Sequence, residues 1–162
     1  MPLPTLEPSL AIAASGVLIA CVQMWLGLRK AQFDNTLHII DRIEAPEARS
    51  ARFNVRRIMA EAQAKNDDFE QIAAEDRSAL VGVGHLFGVA GLLARRRRID
   101  RTLFLQSYAN TLITNFERLE PFIRWRDRRF GDLDTLWREY ELFVAYARRW
   151  RARRHRKSDS AG

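Results

Sequence analysis

Four glycines between positions 82 and 91, half of those in the chain, form the pattern that comes closest to a cofactor-binding motif. Gly82, Gly84, Gly88 and Gly91 superficially resemble a dinucleotide-binding loop. Such a loop needs a preceding strand, a helix that begins at the glycines and an acidic residue about twenty positions further on. Asp100 stands at a tolerable distance, but no strand precedes the glycines. We therefore interpret Gly84 and Gly88 as positions of close helix packing.

The other residue types that could do chemistry are scattered along the chain. The histidines, His38, His85 and His155, lie in three segments without a cluster of cysteines or carboxylates at zinc-ligand spacing. Asp41 stands three residues after His38, but two groups do not make a zinc site. The acidic clusters at 67–70 and 75–76 suit a solvated linker and a helix N-terminus. Cys21 is the lone cysteine, so it cannot form an internal disulfide. These observations predict no cofactor, no metal site and no enzymatic activity.

Nineteen uncharged residues, Leu10 to Leu28, precede Arg29 and Lys30 and predict a transmembrane helix. At about 1.5 Å per residue, such a helix is about 28 Å long, close to the thickness of the bilayer core. The rest of the chain is predicted to be too polar to span a membrane. Positive charge after the span places the N-terminus outside and the C-terminal domain in the cytoplasm of a bacterial inner membrane.

A cleaved signal peptide is the alternative interpretation of this segment. Leu18-Ile19-Ala20-Cys21 matches a lipoprotein processing box. However, residues 1–9 contain no Lys or Arg, and the apolar run continues past Cys21. A retained anchor is therefore favoured. Small residues line one face of this helix, namely Ala13, Gly16 and Ala20, and would let another helix approach closely.

The remaining residues show helical periodicity and no strand pattern. We predict that the first helix ends near Glu44, because Pro46 disfavours helix in the residue before it and suits the start of the next. Residues 65–69 are predicted to be a linker. A third helix, 75–93, should bury one apolar face, made of Leu80, Val83, Phe87 and Ala90.

Capping residues predict where the later helices begin and end. Asp100 is expected to be the N-cap of a fourth helix. Pro121 should begin a short fifth segment that Gly131 ends, and Asp132 or Asp134 should cap the last helix. The predicted fold is all-α, with one N-terminal transmembrane helix that continues into a small antiparallel helical bundle.

Several of these residues resemble an uncharacterised bacterial family. The resemblance rests on Gly91-Leu92-Leu93, Ile99-Asp100, Leu103-Phe104, Leu119-Glu120-Pro121-Phe122-Ile123, Trp137 and Tyr140-Glu141. Members of that family have one N-terminal membrane helix followed by a small helical domain of unknown function. The resemblance covers the chain from the anchor to about Trp150 and implies this architecture, but it implies no activity.

Basic residues are concentrated in the second half of the chain. The net charge is −2 up to Ala90 and +9 from Gly91 onward, which gives the total of +7. The predicted basic patch consists of Arg29, Lys30, Arg95, Arg96, Arg97, Arg98, Arg148, Arg149, Arg151, Arg153 and Arg154. Anionic lipid headgroups, an acidic protein partner and nucleic acid are the candidate ligands. Nucleic acid ranks last, because a tethered domain meets lipid at high effective concentration.

These patterns divide the chain into four parts. They are an extracytoplasmic stub (1–9), a transmembrane helix (10–28), a cytoplasmic helical domain (29–150) and a basic, disordered tail (151–162). We expect a non-enzymatic, single-pass inner-membrane protein that serves as an accessory subunit of a larger membrane complex, or self-associates through its span. The alternatives are a stand-alone membrane-tethered module that binds protein or anionic lipid and, less favoured, a nucleic-acid-binding protein or an enzyme.

Overall fold

The computed structural model describes residues 8–66, 68–131 and 135–159, although not the side chains of 8–15, 155 and 157–159. Five α-helices form the described structure, and 91% of the described residues are helical. They are α1 (Pro8–Glu44), α2 (Pro46–Ala64), α3 (Ala74–Arg95), α4 (Arg101–Phe130) and α5 (Thr135–Asp159). No strand occurs in these residues, which confirms the all-α prediction.

Proline and capping signals define several helix ends as predicted. Helix α1 ends at Glu44, and Pro46 occupies the first turn of α2. The Asp100 carboxylate accepts hydrogen bonds from the backbone N–H groups of Thr102 and Leu103 and so caps α4. Gly131 ends α4 with a φ of +68°, a left-handed conformation that glycine adopts without strain. The predicted caps of α5, Asp132 and Asp134, lie outside the described residues.

The core lies where α3 packs against α2, α4 and α5. Leu80, Val83, Phe87 and Ala90 are buried, as predicted for one face of α3. Aromatic side chains from α4 and α5 fill the space beside them, with Phe87 stacked on Tyr140 at 5.3 Å between ring centroids. Such aromatic pairs contribute about 0.5–1.5 kcal/mol beyond their buried area.

One sequence prediction within the bundle holds only in part, and another is wrong. Residues 65–69 are not simply a polar linker, because Phe69 is buried against Phe122 and Trp125 at the start of a short 3-10 turn, Phe69–Gln71. Pro121 does not begin a segment; it lies inside α4. A proline inside a helix costs about 3 kcal/mol, but Leu119, Phe122 and Ile123 are buried beside it. Burial of each such side chain contributes about 1.5–3 kcal/mol, which outweighs the cost of the proline.

The prediction that only the N-terminal run is long and apolar enough to span a membrane is also wrong. Among the described residues, one helix passes that test, and it is α3. However, 44% of its apolar window is buried inside the bundle. Helix α3 is apolar on several sides because it packs against three other helices, and a core helix of this kind meets the same criterion. The predicted span Leu10–Leu28 can be described only in part, because the structure does not describe the side chains of residues 10–15.

Candidate interaction surfaces

The first candidate surface is the N-terminal half of α1. Every described side chain from Gly16 to Leu28 is exposed, including large apolar ones such as Leu18 (66%) and Trp25 (55%). Open space surrounds Gly16, since a Cβ built there would meet no atom within 4 Å. Ala20 is exposed as well, whereas the side chain of Ala13 lies outside the described residues. Contiguous apolar surface of this extent is typical of a membrane or protein contact.

Polar side chains in the next two turns of α1 bind the loop between α3 and α4. Gln32 Nε2 donates to the carbonyl of Arg97 at 2.7 Å, and Asn35 Nδ2 donates to that of Arg98 at 3.1 Å. The buried Thr36 hydroxyl accepts a hydrogen bond from the backbone N–H of Asp100 at 2.8 Å. These three bonds hold the basic loop 95–98 beside α1, close to Arg29 and Lys30 in the sequence of that helix. The loop therefore contacts α1 within two turns of Arg29 and Lys30.

The loop 95–98 ends α3 in a Schellman arrangement with an unusual residue. The backbone N–H of Arg98 donates to the carbonyl of Leu93, and that of Arg97 donates to Ala94. Arg97 occupies the left-handed position of this motif with a φ of +54°, where glycine is usual. The conformation costs an arginine about 1–2 kcal/mol. The chain thus keeps an arginine at the third of four consecutive arginine positions, 95–98, at some cost in stability.

The other half of the basic patch lies on α5. Arg148 forms an ion pair with Glu117 at 2.8 Å, Arg151 Nη1 donates to Asn110 Oδ1 at 3.3 Å, and the Arg154 guanidinium lies over Trp150. Arg149 and Arg153 are also exposed. Residues 151–159, predicted to belong to a disordered tail, continue α5 in the structure. The structure therefore holds the arginines up to Arg154 on a helix that packs against α4.

A polar cluster lies at the end of α1, where it meets α2 and α4. Glu44 binds Arg49 at 2.9 Å and Arg52 at 3.1 Å, and it accepts a hydrogen bond from Tyr108 at 2.8 Å. The Tyr108 hydrogen bond, followed by the bond and charge of Arg52, lowers the pKa of Glu44 below its ordinary value. Burial, together with this carboxylate, raises the pKa of Tyr108 to about 12. The cluster fixes the corner between α1 and α2.

The glycines of α3 lie at its crossing with α5. A Cβ on Gly84 would fall within the ring of Trp137, and one on Gly88 would overlap the backbone of Leu136. Gly91 was not predicted as a packing position, yet a Cβ there would lie 2.5 Å from the carbonyl oxygen of Glu139. Gly82, in contrast, has nothing within 4 Å. Gly88 and Gly91 therefore let the backbones of α3 and α5 approach closely, and Gly84 makes room for the Trp137 ring.

One carboxylate is buried that no pattern in the sequence indicates. Glu139 on α5 is only 4% exposed and binds Arg95 Nη2 at 2.6 Å through Oε1, while Oε2 has no partner among the described residues. The other acidic clusters have structural contacts: Asp68 caps the 3-10 turn, Glu70 pairs with Arg129, and Asp76 pairs with Arg57. No group of three potential metal ligands occurs within the described ranges.

These features define the class of protein as an all-helical bundle from which the first half of a long N-terminal helix extends. A family model described as "Domain of unknown function (DUF4760)" matches residues 10–150. The chain belongs to this family, since the match covers most of its length. No curated protein and no solved structure matches the chain. The resemblance to an uncharacterised family is thereby confirmed, whereas bacterial origin and a membrane location stay predictions.

Proposed function

We propose that the protein is a non-enzymatic, single-pass protein of a bacterial inner membrane whose helical domain makes protein contacts as an accessory subunit of a larger complex. The observation that carries this proposal is the exposed apolar stretch of α1 from Gly16 to Leu28. Exposing such a stretch to water is unfavourable by about 25 cal/mol per Å² of apolar surface. A bilayer around residues 10–28 would remove this cost.

The charges next to this stretch support an orientation with the domain in the cytoplasm. Arg29 lies over the ring of Trp25 at 5.3 Å, an arrangement suited to the membrane–water interface. The basic loop 95–98 is bound to α1 within two turns of Lys30. In this orientation residues 1–9 would be the extracytoplasmic stub, and the loop would face anionic headgroups.

The open face of α1 supports association through the span. Gly16 and Ala20 lie on one side of an exposed helix, and the space around Gly16 is free. In lipid, helices associate through close packing of such small residues. The glycine run of α3 is used within the bundle, so it offers no support for cofactor chemistry.

Membrane insertion and topology can be tested first. We expect the full chain to stay in the pellet after alkaline carbonate extraction of membranes. In a Cys21→Ala background, a cysteine introduced as Ser158→Cys should react with a membrane-impermeant maleimide only after the cells are broken. Labelling of Ser158→Cys in intact cells would show that the orientation is the opposite of the one proposed. Release of the protein by carbonate would contradict the membrane anchor.

Association with a complex needs a separate measurement. After gentle detergent extraction, native-gel migration followed by mass spectrometry should show stoichiometric co-migration with a membrane assembly. Gly16→Leu should release the protein from that assembly, whereas Val22→Leu, on another side of the helix, should not. Migration as a monomer or as a small homo-oligomer would contradict the accessory-subunit proposal. It would instead favour a stand-alone module.

A membrane-tethered module that binds anionic lipid is the second candidate, supported by the loop 95–98 beside α1. It predicts that sedimentation of the bundle with vesicles requires anionic lipid and weakens when the arginines of this loop are replaced. Nucleic acid binding would instead be lost on deletion after Trp150 and would weaken steeply with salt. Turnover of a metabolite by the purified protein would contradict the non-enzymatic assignment.

A further inference from the structure

A small cavity of about 230 Å³ lies where the end of α3, the start of α4 and the middle of α5 meet. Its lining combines positive charge with one buried carboxylate and apolar carbon: Arg95, Arg101, Arg149, Glu139, Leu142 and Tyr146. Three arginines and one glutamate give a net charge of +2. The volume is below that of a typical drug-sized site and suits a small charged group.

Arg101 is held in one position at this cavity. Its Nε donates to the carbonyl of Ala94 at 2.6 Å, and its Nη2 donates to that of Arg95 at 3.2 Å. Its guanidinium lies over the Tyr146 ring, 5.5 Å from the centroid. A fixed guanidinium loses little freedom when it binds a ligand, so it is preorganised for an anion.

Glu139 holds the second arginine. Its side chain is 5% exposed, while the Arg95 side chain that pairs with it is 59% exposed. Burying a carboxylate is costly unless a cation pairs with it, so this pair keeps Arg95 at the cavity. In contrast, neither Arg101 nor Arg149 has an acidic partner within ion-pair distance in the part of the chain that the structure describes. Two of the three cationic groups are therefore available to an anion.

We propose that this cavity binds an organic phosphate ester. Arg101 and Arg149 would donate to the phosphate oxygens, because guanidinium groups form charge-assisted, often bidentate bonds with phosphate. Leu142, which is exposed, and Tyr146 would contact the carbon atoms of the ester. The same chemistry occurs in a phospholipid headgroup and in a soluble phosphorylated metabolite. The position of the cavity allows either source. It lies at the end of α3, beside the loop that binds α1, and α1 carries the proposed membrane anchor.

The proposal is tested by titration calorimetry on the full chain in detergent. The two probes are glycerol 3-phosphate and dihexanoyl phosphatidic acid, with glycerol as the blank. We expect saturable binding of at least one phosphate probe. Binding of glycerol 3-phosphate, with or without the lipid, would indicate that a soluble ester is sufficient, and binding of the lipid alone would indicate a headgroup.

Arg149→Gln is the informative variant, because Arg101 also binds the carbonyls that end α3 and its loss could unfold the bundle. We expect Arg149→Gln to weaken binding about tenfold, the usual effect of removing one charge-assisted bond. Arg138→Gln is the matched control: it removes one exposed arginine of the same helix outside the cavity and should change binding less than twofold. Absence of binding by both probes, or equal weakening by the two variants, would overturn the proposal. The result is independent of carbonate extraction, which tests the anchor alone.

Discussion

Thr36 and Asp100 are 64 positions apart in the sequence, yet the Thr36 hydroxyl accepts a hydrogen bond from the Asp100 backbone N–H at 2.8 Å. Thr36 is fully buried and also donates to the carbonyl of Gln32. The Asp100 carboxylate meanwhile caps α4. One threonine thus joins the helix that carries the predicted anchor to the first turn of α4. This bond acts together with those of Gln32 and Asn35 to hold the loop between α3 and α4 beside α1.

Replacement of Thr36 by valine should destabilise the fold by about 1–3 kcal/mol, because the partly buried N–H of Asp100 would lose its acceptor. The shape of the side chain is kept, so the loss reports on the hydrogen bond. Urea unfolding followed by circular dichroism measures the change. Thr114→Val, at an exposed position of α4, is the control and should stay within about 0.5 kcal/mol of the parent. Equal stability of the two variants would show that the bond contributes little.

Arg97→Gly should stabilise the bundle by about 1 kcal/mol, because glycine adopts the left-handed conformation at φ +54° without strain. Arg96→Gly removes the same charge at a φ of −77° and should not stabilise. Thermal unfolding of the two variants separates the backbone effect from the charge effect. If the loop faces anionic lipid, both variants should bind vesicles containing phosphatidylglycerol more weakly. If Arg97→Gly is stabilised but binds vesicles as strongly as the parent, the loop does not contact the membrane surface.

Local signals in the sequence predicted much of the fold. Pro46, Asp100 and Gly131 act on their own backbone neighbours, so each helix end that they define could be predicted. The buried face of α3 follows from the spacing of Leu80, Val83 and Phe87. In such cases the cause lies within one helical turn.

The features that were missed depend on contacts between distant segments. Phe69 looks like part of a polar linker until Phe122 and Trp125 surround it. Pro121 stays within α4 because neighbouring side chains are buried in a core that the sequence pattern does not show. Glu139 is buried because α3 approaches α5 closely at Gly91, so Arg95 can pair with it. The candidate cavity could not be predicted for the same reason, since three helices contribute its arginines.

Tyr108 and Glu44 should make the stability of the α1–α2 corner depend on pH. The pKa of Glu44 is lowered in the folded state, so its contribution is present above the ordinary value of 4.5 and is lost as the pH falls through the folded value. The pKa of Tyr108 is raised to about 12, so its contribution is complete below pH 10 and is lost as the pH rises toward 12.

Tyr108→Phe removes the hydrogen bond that is the largest cause of the low Glu44 pKa. We expect the variant to lose about 1 kcal/mol near neutral pH and less below pH 4. Urea unfolding at several pH values measures this difference. A double-mutant cycle with Glu44→Gln isolates the pair, and an interaction energy near zero would contradict the coupling.

The glycines of α3 allow opposite effects to be tested within one helix. Gly88→Ala should destabilise by about 1–3 kcal/mol, because the added methyl group would overlap the backbone of Leu136, which cannot move aside without shifting α5. Gly82→Ala should stabilise by about 0.5–1 kcal/mol, since the position is exposed, helical and free of contacts within 4 Å. Thermal unfolding of both variants in the same detergent gives the comparison. Similar melting temperatures for the two would contradict the close α3–α5 packing, because helix propensity alone favours alanine at both positions.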